Sequence, residues 1–496
     1  MKKIALVLAV ITAACAAPEG TTEQALTVAP AHACVDPAAY GAAPDDGVDD
    51  RPGIQAAIDY AASIGGGEVC LGAGTWDVTK SPIGTYDRFA AISWHSPNIS
   101  LRGAGELATT IRMVGDGGAG KANVVSLDPG ASWARVSDLA IDTSLTFNTD
   151  EQSHAIEVGT GVGSCATCPP VTDVTIQRVR INHPVIPGER KGDCVRVFGN
   201  YTNTEARNIK LLDLDLLACA RSGIALQRNA NYVTVSRVYF AGDNIGATMF
   251  DGEATGGGWD KGLIVEGCTF VRTLPGGDSM ALALTSQTNY QIVGNTFVGR
   301  GLWLYRTTDG LVANNTIDAT DALQGAGVIE TGNVATRVSI VGNVVRRRGA
   351  GGSGIKMQPH SGGLPGPIVV ADNVVLLEND STCIFMHSPA DVAITGNVCT
   401  GNGGPNSMGV YLAAISQQVD GVSITGNTFR NFGFAAVRMG AGAFGFSGVT
   451  ISGNTSRASN YGLRCDGGTG SSSSVASSGN NWSTPSSCAY ATGGML

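Results

Sequence analysis

The chain is poor in charge, in aromatic rings and in long apolar runs. Only 15% of its 496 residues are Asp, Glu, Lys or Arg, and 6% are aromatic. Lys and Arg number 32 against 41 acids, a net charge of −9. That balance argues against nucleic acid as a partner and offers no polybasic patch to a membrane. Beyond the first residues, no apolar run approaches the roughly 18 residues that span a bilayer. No second close cysteine pair or histidine pair accompanies "CATC" (Cys165–Cys168), which weighs against a zinc site. Between the short β-rich segments nothing is long enough for a crossover helix, so an alternating α/β fold is excluded.

What is present begins with a leader. "MKK" followed by the apolar run Ile4–Ile11 and "TAACAA" reads as a signal peptide over residues 1–16. Cleavage before Cys15 with a lipid anchor on that cysteine, and ordinary cleavage after Ala16, both fit. Either implies export, to the extracellular space or the cell surface, with an outer-membrane lipoprotein as one form. Residues 17–33, rich in Ala, Thr and Pro, read as a linker.

Twelve cysteines in an exported chain are disulfide candidates first. Cys34 and Cys70 bracket an N-terminal segment, Cys465 and Cys488 a C-terminal tail over 465–496, and Cys194 and Cys219 lie 25 apart. With Cys15 set aside the number is odd, and Cys268 is the expected free thiol.

The dominant feature is a repeated phrase. "VSITGNTF" (Val422–Phe429) returns as "YQIVGNTF" (Tyr290–Phe297), "VSIVGNVV" (Val338–Val345), "VAITGNVC" (Val392–Cys399) and "VTISGNTS" (Val449–Ser456). Its asparagines, Asn295, Asn315, Asn343, Asn373, Asn397, Asn427 and Asn454, are 20 to 30 residues apart. Each copy alternates β-branched residues, as a half-buried strand does, and then bends at Gly-Asn, where positive φ is tolerated. A second strand of the form Gly-Ile/Val-x-Leu/Met follows, as in "GIKM" (Gly354–Met357). Short strands, sharp bends and this period predict an all-β, single-stranded parallel β-helix over 34–464, one coil per repeat. The asparagines then stack into a hydrogen-bonded ladder. "DDRPGIQAAIDYAASIGGG" (Asp49–Gly67) predicts an N-terminal helical cap, with Asp at the N-cap and Ile54, Ala57, Ile58 and Ala61 as its apolar stripe.

The stretch Val35–Val78 carries Tyr40-Gly41-Ala42, Asp46-Gly47, Asp49-Asp50, Ile54–Ile58 and Gly67–Leu71 in that order. It closely resembles the N-terminal signature of the pectate-lyase-like superfamily. "ISLRGAGE" (Ile99–Glu106) resembles the rung that follows it. The resemblance covers most of the chain from residue 35 onward. It implies right-handed winding and, by association, extracellular polysaccharide chemistry. Fold alone does not set function, since the same coil serves lyases, hydrolases, epimerases and non-catalytic adhesins.

Alternation assigns outward-facing pairs: Arg196 with Phe198, Ala225 with Gln227, Thr248 with Phe250, Trp303 with Tyr305, Lys356 with Gln358, Phe385 with His387, Tyr411 with Ala413 and Arg438 with Gly440. Trp303, Tyr305, Phe385, His387, Tyr411 and Arg438 are the candidate sugar contacts, rings and cations in register along one wall. Catalytic candidates are acids and bases near the same rungs. Asp251 and Glu253 of "FDGE" suit acid and base, or acid and nucleophile, on a glycosidic bond. With Asp278 of "GGDS" they would equally suit Ca²⁺, the one cofactor considered. Asp193 of "GDCVRV" resembles one of the two carboxylates in the "GDDC" strand of polygalacturonase-type hydrolases; the second carboxylate and the Gly-His-Gly motif are absent. A lyase needs a base and a group that neutralises the uronate carboxylate; Arg196, Lys356 and Arg438 are available, with His387 and Tyr411 as proton carriers. His154 and His360 rank lower.

The expected activity is cleavage of a polysaccharide, uronate-containing by the resemblance, by β-elimination or hydrolysis. An epimerase and a non-catalytic glycan-binding or structural surface protein are the alternatives. The sequence assigns no oligomeric state.

Overall fold

Each repeat copy becomes one turn of a β-solenoid. A computed structural model describes residues 34–488, apart from 84–87, 116–121, 146–151, 160–167, 185–190, 200–203, 255–258, 273–279, 321–325, 333–334, 350, 359–366, 443 and 468–473. The leader and linker lie outside the described residues, as do Cys165, Asp278 and His360. Parallel strands stack in about 12 turns. One wall is a 29-stranded sheet built from the repeated phrase; the other is a 15-stranded sheet built from the Gly-Ile/Val-x-Leu/Met segments.

The bend explains the phrase. The residue before each ladder asparagine has positive φ: Gly294 (66°), Gly342 (67°), Gly396 (67°), Gly426 (65°) and Gly453 (65°). In two coils Asn314 (55°) and Asp372 (54°) take that place, residue types that accept the left-handed region. The ladder asparagines themselves do not, so only the first residue of the Gly-Asn step needs the freedom.

Those asparagines are buried and stacked. Asn343 Nδ2 donates to Asn373 Oδ1 at 2.9 Å and to the Val312 carbonyl at 2.9 Å, while its backbone N–H reaches Asn373 Oδ1 at 3.0 Å. The same set repeats from Asn295 to Asn454 and ends on Asn480. At the other end the buried free thiol Cys268 holds the asparagine's place, its backbone N–H donating to Asn295 Oδ1 at 2.9 Å.

Between the walls the inward residues form continuous apolar columns. Val195, Ile224, Phe250, Leu282, Leu302, Ile329, Ile355, Ile384, Val410 and Val437 succeed one another in register and are wholly buried. Each such side chain contributes about 1.5–3 kcal/mol by leaving water. Phe240, Phe270 and Phe297 stack at 4.3 and 4.6 Å.

Helix α1 (Arg51–Ser63) buries Ile54, Ala57, Ile58 and Ala61 against the strands Gly67–Cys70, Arg88–Trp94 and Ile99–Arg102. Its N-cap residue Asp50 makes no side-chain cap. Its carboxylate accepts from the N–H groups of Ala43 and Asp77, and Asp49 accepts from Arg51 N–H instead. Past residue 464, the strands Val475–Ser478 and Asn481–Trp482 pair onto the preceding turn, so the coil continues into the expected tail. The disulfides Cys34–Cys70, Cys194–Cys219 and Cys465–Cys488 are formed. Cys383–Cys399 is a further one that spacing did not suggest.

Replacing Asn373 by Ala strands the Asn343 N–H and the Ile340 carbonyl. Urea unfolding is expected to show a loss of about 2–6 kcal/mol, at roughly 1–3 kcal/mol for each of these two buried groups left unpaired.

Candidate active site

The outer face of the 15-stranded sheet presents two columns of side chains. The first runs Glu157, Arg196, Ala225, Asp251, Ala283, Trp303, Glu330, Lys356, Phe385, Tyr411, Arg438. The second, two residues on, includes Phe198, Gln227, Glu253, Thr285 and Tyr305. The expected outward pairs are found except one. Thr248 and Phe250 are not such a pair: the strand is Phe250–Glu253 and Phe250 fills the core at 0% exposure. Met249 is buried too, so two adjacent apolar residues put the alternation out by one. The outward pair of this turn is therefore Asp251 and Glu253.

Asp251 sits in a notch. Its ladder neighbours are Ala225 and Ala283, whose methyl groups leave the column open on both sides. Among the described residues its carboxyl has no hydrogen-bond partner. Burial, then the negative charges of Glu253 and Asp193, push its pKa up to about 7, with Arg221 opposing. Arg228 lies near Glu253, the second carboxylate of this strand face. Its guanidinium lies 5.2 Å from the Phe198 ring centre, and burial and the neighbouring Arg196 lower its pKa while Glu253 opposes.

A buried ionic chain lies beside Asp251. Arg221 donates to both oxygens of Asp193, at 2.9 and 2.6 Å, a bidentate pair. His154 Nδ1 lies 3.0 Å from the Asp193 backbone nitrogen and 3.2 Å from Oδ2, and Nε2 is 3.1 Å from Arg196 Nη1. Burial alone would raise the Asp193 pKa, but His154 and Arg221 hold it well below the usual carboxylate range. Burial and Arg196 lower that of His154, with Asp193 opposing. Arg196 also donates to Gln227 Oε1 at 3.1 and 2.9 Å and to Gln152, and lies 4.4 Å from the Phe198 ring centre.

These contacts redistribute the expected roles. Asp193 is wholly buried and Arg196 is 5% exposed, each committed to neighbours, so neither is presented to a substrate as a base. Lys356 pairs with Glu330 at 3.3 Å and stands four rungs from Asp251. Arg221, Arg228 and the central place of His154 were not read from the sequence, and Gln227, expected to face outward, is bound to Arg196. The usable signal was the period: Arg221 is 28 residues from Asp193, one coil.

Trp303 and Tyr305, 5.4 Å apart, follow two rungs beyond Asp251. Further on, Lys356, Gln358, Phe385, His387, Met408 and Tyr411 line an open depression of about 450 Å³. Phe385 and Tyr411 meet edge to face at 5.3 Å. Arg438 lies 4.5 Å from the Tyr411 ring centre and donates to Asp466 at 2.7 Å. Asp278, expected as a calcium ligand, lies outside the described residues. Among the described residues the one three-ligand grouping is Cys34, Glu68 and Cys70, whose sulfurs are joined in a disulfide.

No family model matches the chain, and no curated protein matches it. Solved structures do. Bacteriophage phi29 gene product 12, in its pre-mature form, aligns with 93% of this chain and 58% of its own length, at 13% identity and TM-score 0.52. The Azotobacter vinelandii mannuronan C-5 epimerase AlgE4 A-module covers 92% of this chain and 99% of its own, at 18% identity and TM-score 0.30. The catalytic domain of a GH87 alpha-1,3-glucanase, in complex with nigerose, covers 92% and 71%, at 13% identity and TM-score 0.43. At these identities the likeness is one of fold: this chain is a parallel β-solenoid.

A carboxyl raised to about 7 makes stability depend on pH. The folded state holds this proton more tightly than the unfolded chain, so the contribution is full below about pH 4 and is lost as pH rises through about 7. Asp251→Asn is expected to melt at a higher temperature than the parent at pH 8. The gap should close as pH falls toward 4. Equal melting temperatures at pH 8 would contradict the assignment.

Proposed function

We propose that the protein is a polysaccharide hydrolase in which Asp251 is the general acid and Glu253 the base. The observation that carries this reading is the half-buried, unbonded Asp251 carboxyl, held to about 7 beside a second carboxylate on the same strand face. An acid of that kind keeps its proton in about half of the molecules at neutral pH, and its strength is close to what proton transfer needs. It gives its proton to the glycosidic oxygen as the bond to the anomeric carbon breaks. Glu253 removes a proton from the water that attacks that carbon. Alternate residues on a strand lie about 6.6 Å apart at 3.3 Å per residue, room for that water, so inversion at the anomeric carbon is expected. Elimination is less well served, because Arg196 and Lys356 are engaged in ion pairs and hydrogen bonds. The polysaccharide-directed β-solenoids among the structural neighbours fit a saccharide substrate, and the disulfides fit an exported protein.

Incubation with a panel of polysaccharides should release new reducing ends without the ultraviolet absorbance of an unsaturated uronate. The rate should fall above about pH 7 as Asp251 loses its proton. Asp251→Asn and Glu253→Gln should each lower kcat by roughly 10²–10⁴-fold. Unsaturated products, or full activity in Asp251→Asn, would refute the mechanism.

A further inference from the structure

We propose that the depression formed by the strands Ser353–Gln358, Thr382–His387 and Met408–Ala414 is a second saccharide site. It would hold a distant stretch of the same polymer whose bond is broken at Asp251. The inference rests on the hydrolase reading for the identity of the ligand, but its location rests on geometry alone. Phe385 and Tyr411 succeed Lys356 in the column that carries Asp251, so both places face the same way on one wall. Phe385 is five rungs from Asp251, about 24 Å at about 4.8 Å per rung.

The lining suits one ligand chemistry. Two rings set edge to face offer an apolar surface to the C–H face of a pyranose. Gln358 and His387 flank them with groups that bond hydroxyls, beside the Lys356–Glu330 ion pair. Arg438, stacked on Tyr411 and tied to Asp466, fixes that ring from the far side, so the platform is set before a ligand arrives. Trp303 and Tyr305 stand between the two places, offering rings to the intervening chain. A linear polymer is the occupant that reaches both. A short oligosaccharide reaches one.

The test separates binding from cleavage. Asp251→Asn is run by affinity electrophoresis through gels containing polygalacturonate, alginate or a soluble glucan, alone and combined with Phe385→Ala and Tyr411→Ala. Retardation by one polymer should weaken about tenfold in the combined variant. Phe385→Tyr with Tyr411→Phe, which keeps both rings, should restore it. In the active parent the KM for that polymer should lie about tenfold below that for a di- or trisaccharide of the same sugar, and the ring-less variant should erase this ratio. Unchanged retardation and an unchanged ratio in the ring-less variant would overturn the second site even if Asp251 proves catalytic. Retardation that depends on the two rings, in a protein that cleaves nothing, would uphold the site and refute the hydrolase. No retardation in any of the three gels would overturn the inference.

Discussion

Everything in this molecule depends on parallel stacking of one coil on the next. Each turn meets its neighbours through backbone hydrogen bonds along both sheets, and at the bend through the side-chain amide of an asparagine. That amide answers a specific problem. A tight bend buried between two coils leaves N–H and C=O groups facing no water, and each unpaired group is costly. Asn solves it with one acceptor that takes two bonds and one amino group that donates two, passing the same arrangement to the next coil. Because stacking fixes the register, residues distant in sequence become neighbours one rung apart. Site chemistry is therefore written in columns, with one residue taken from each coil.

The asparagine column and the inward apolar columns were legible because each relies on one residue type repeated at one place. The last copy, Gly479-Asn480, escaped notice because its strand, Val475–Ser478, is mostly serine and alanine. Cys383–Cys399 escaped because its 16-residue separation is shorter than a coil: it joins the two walls of one turn. The outward column was legible wherever a strand alternates cleanly. It slipped at Met249-Phe250, where both residues enter the core, and that slip hid the outward placement of Asp251 and Glu253.

What the period alone could not supply was burial. Asp193, Arg196 and Lys356 were reasonable chemical candidates by residue type, yet Asp193 and Arg196 belong to a closed ionic chain and Lys356 to its own ion pair. The charge left over at the surface is what defines the candidate site. Arg221 satisfies Asp193 bidentately, and its guanidinium only partly offsets the burial of Asp251 and the negative field of Glu253 and Asp193. The same folded geometry that pairs Arg221 with Asp193 leaves the Asp251 carboxyl beside them poised to change state near neutrality.

The chemistry proposed for this face turns on one proton. Carboxyl-carbon NMR of the folded protein, with the Asp251 signal assigned by its loss in Asp251→Asn, follows that proton directly. A titration midpoint near 7 is expected for Asp251. A midpoint near 4, the value of an ordinary exposed aspartate, would contradict it.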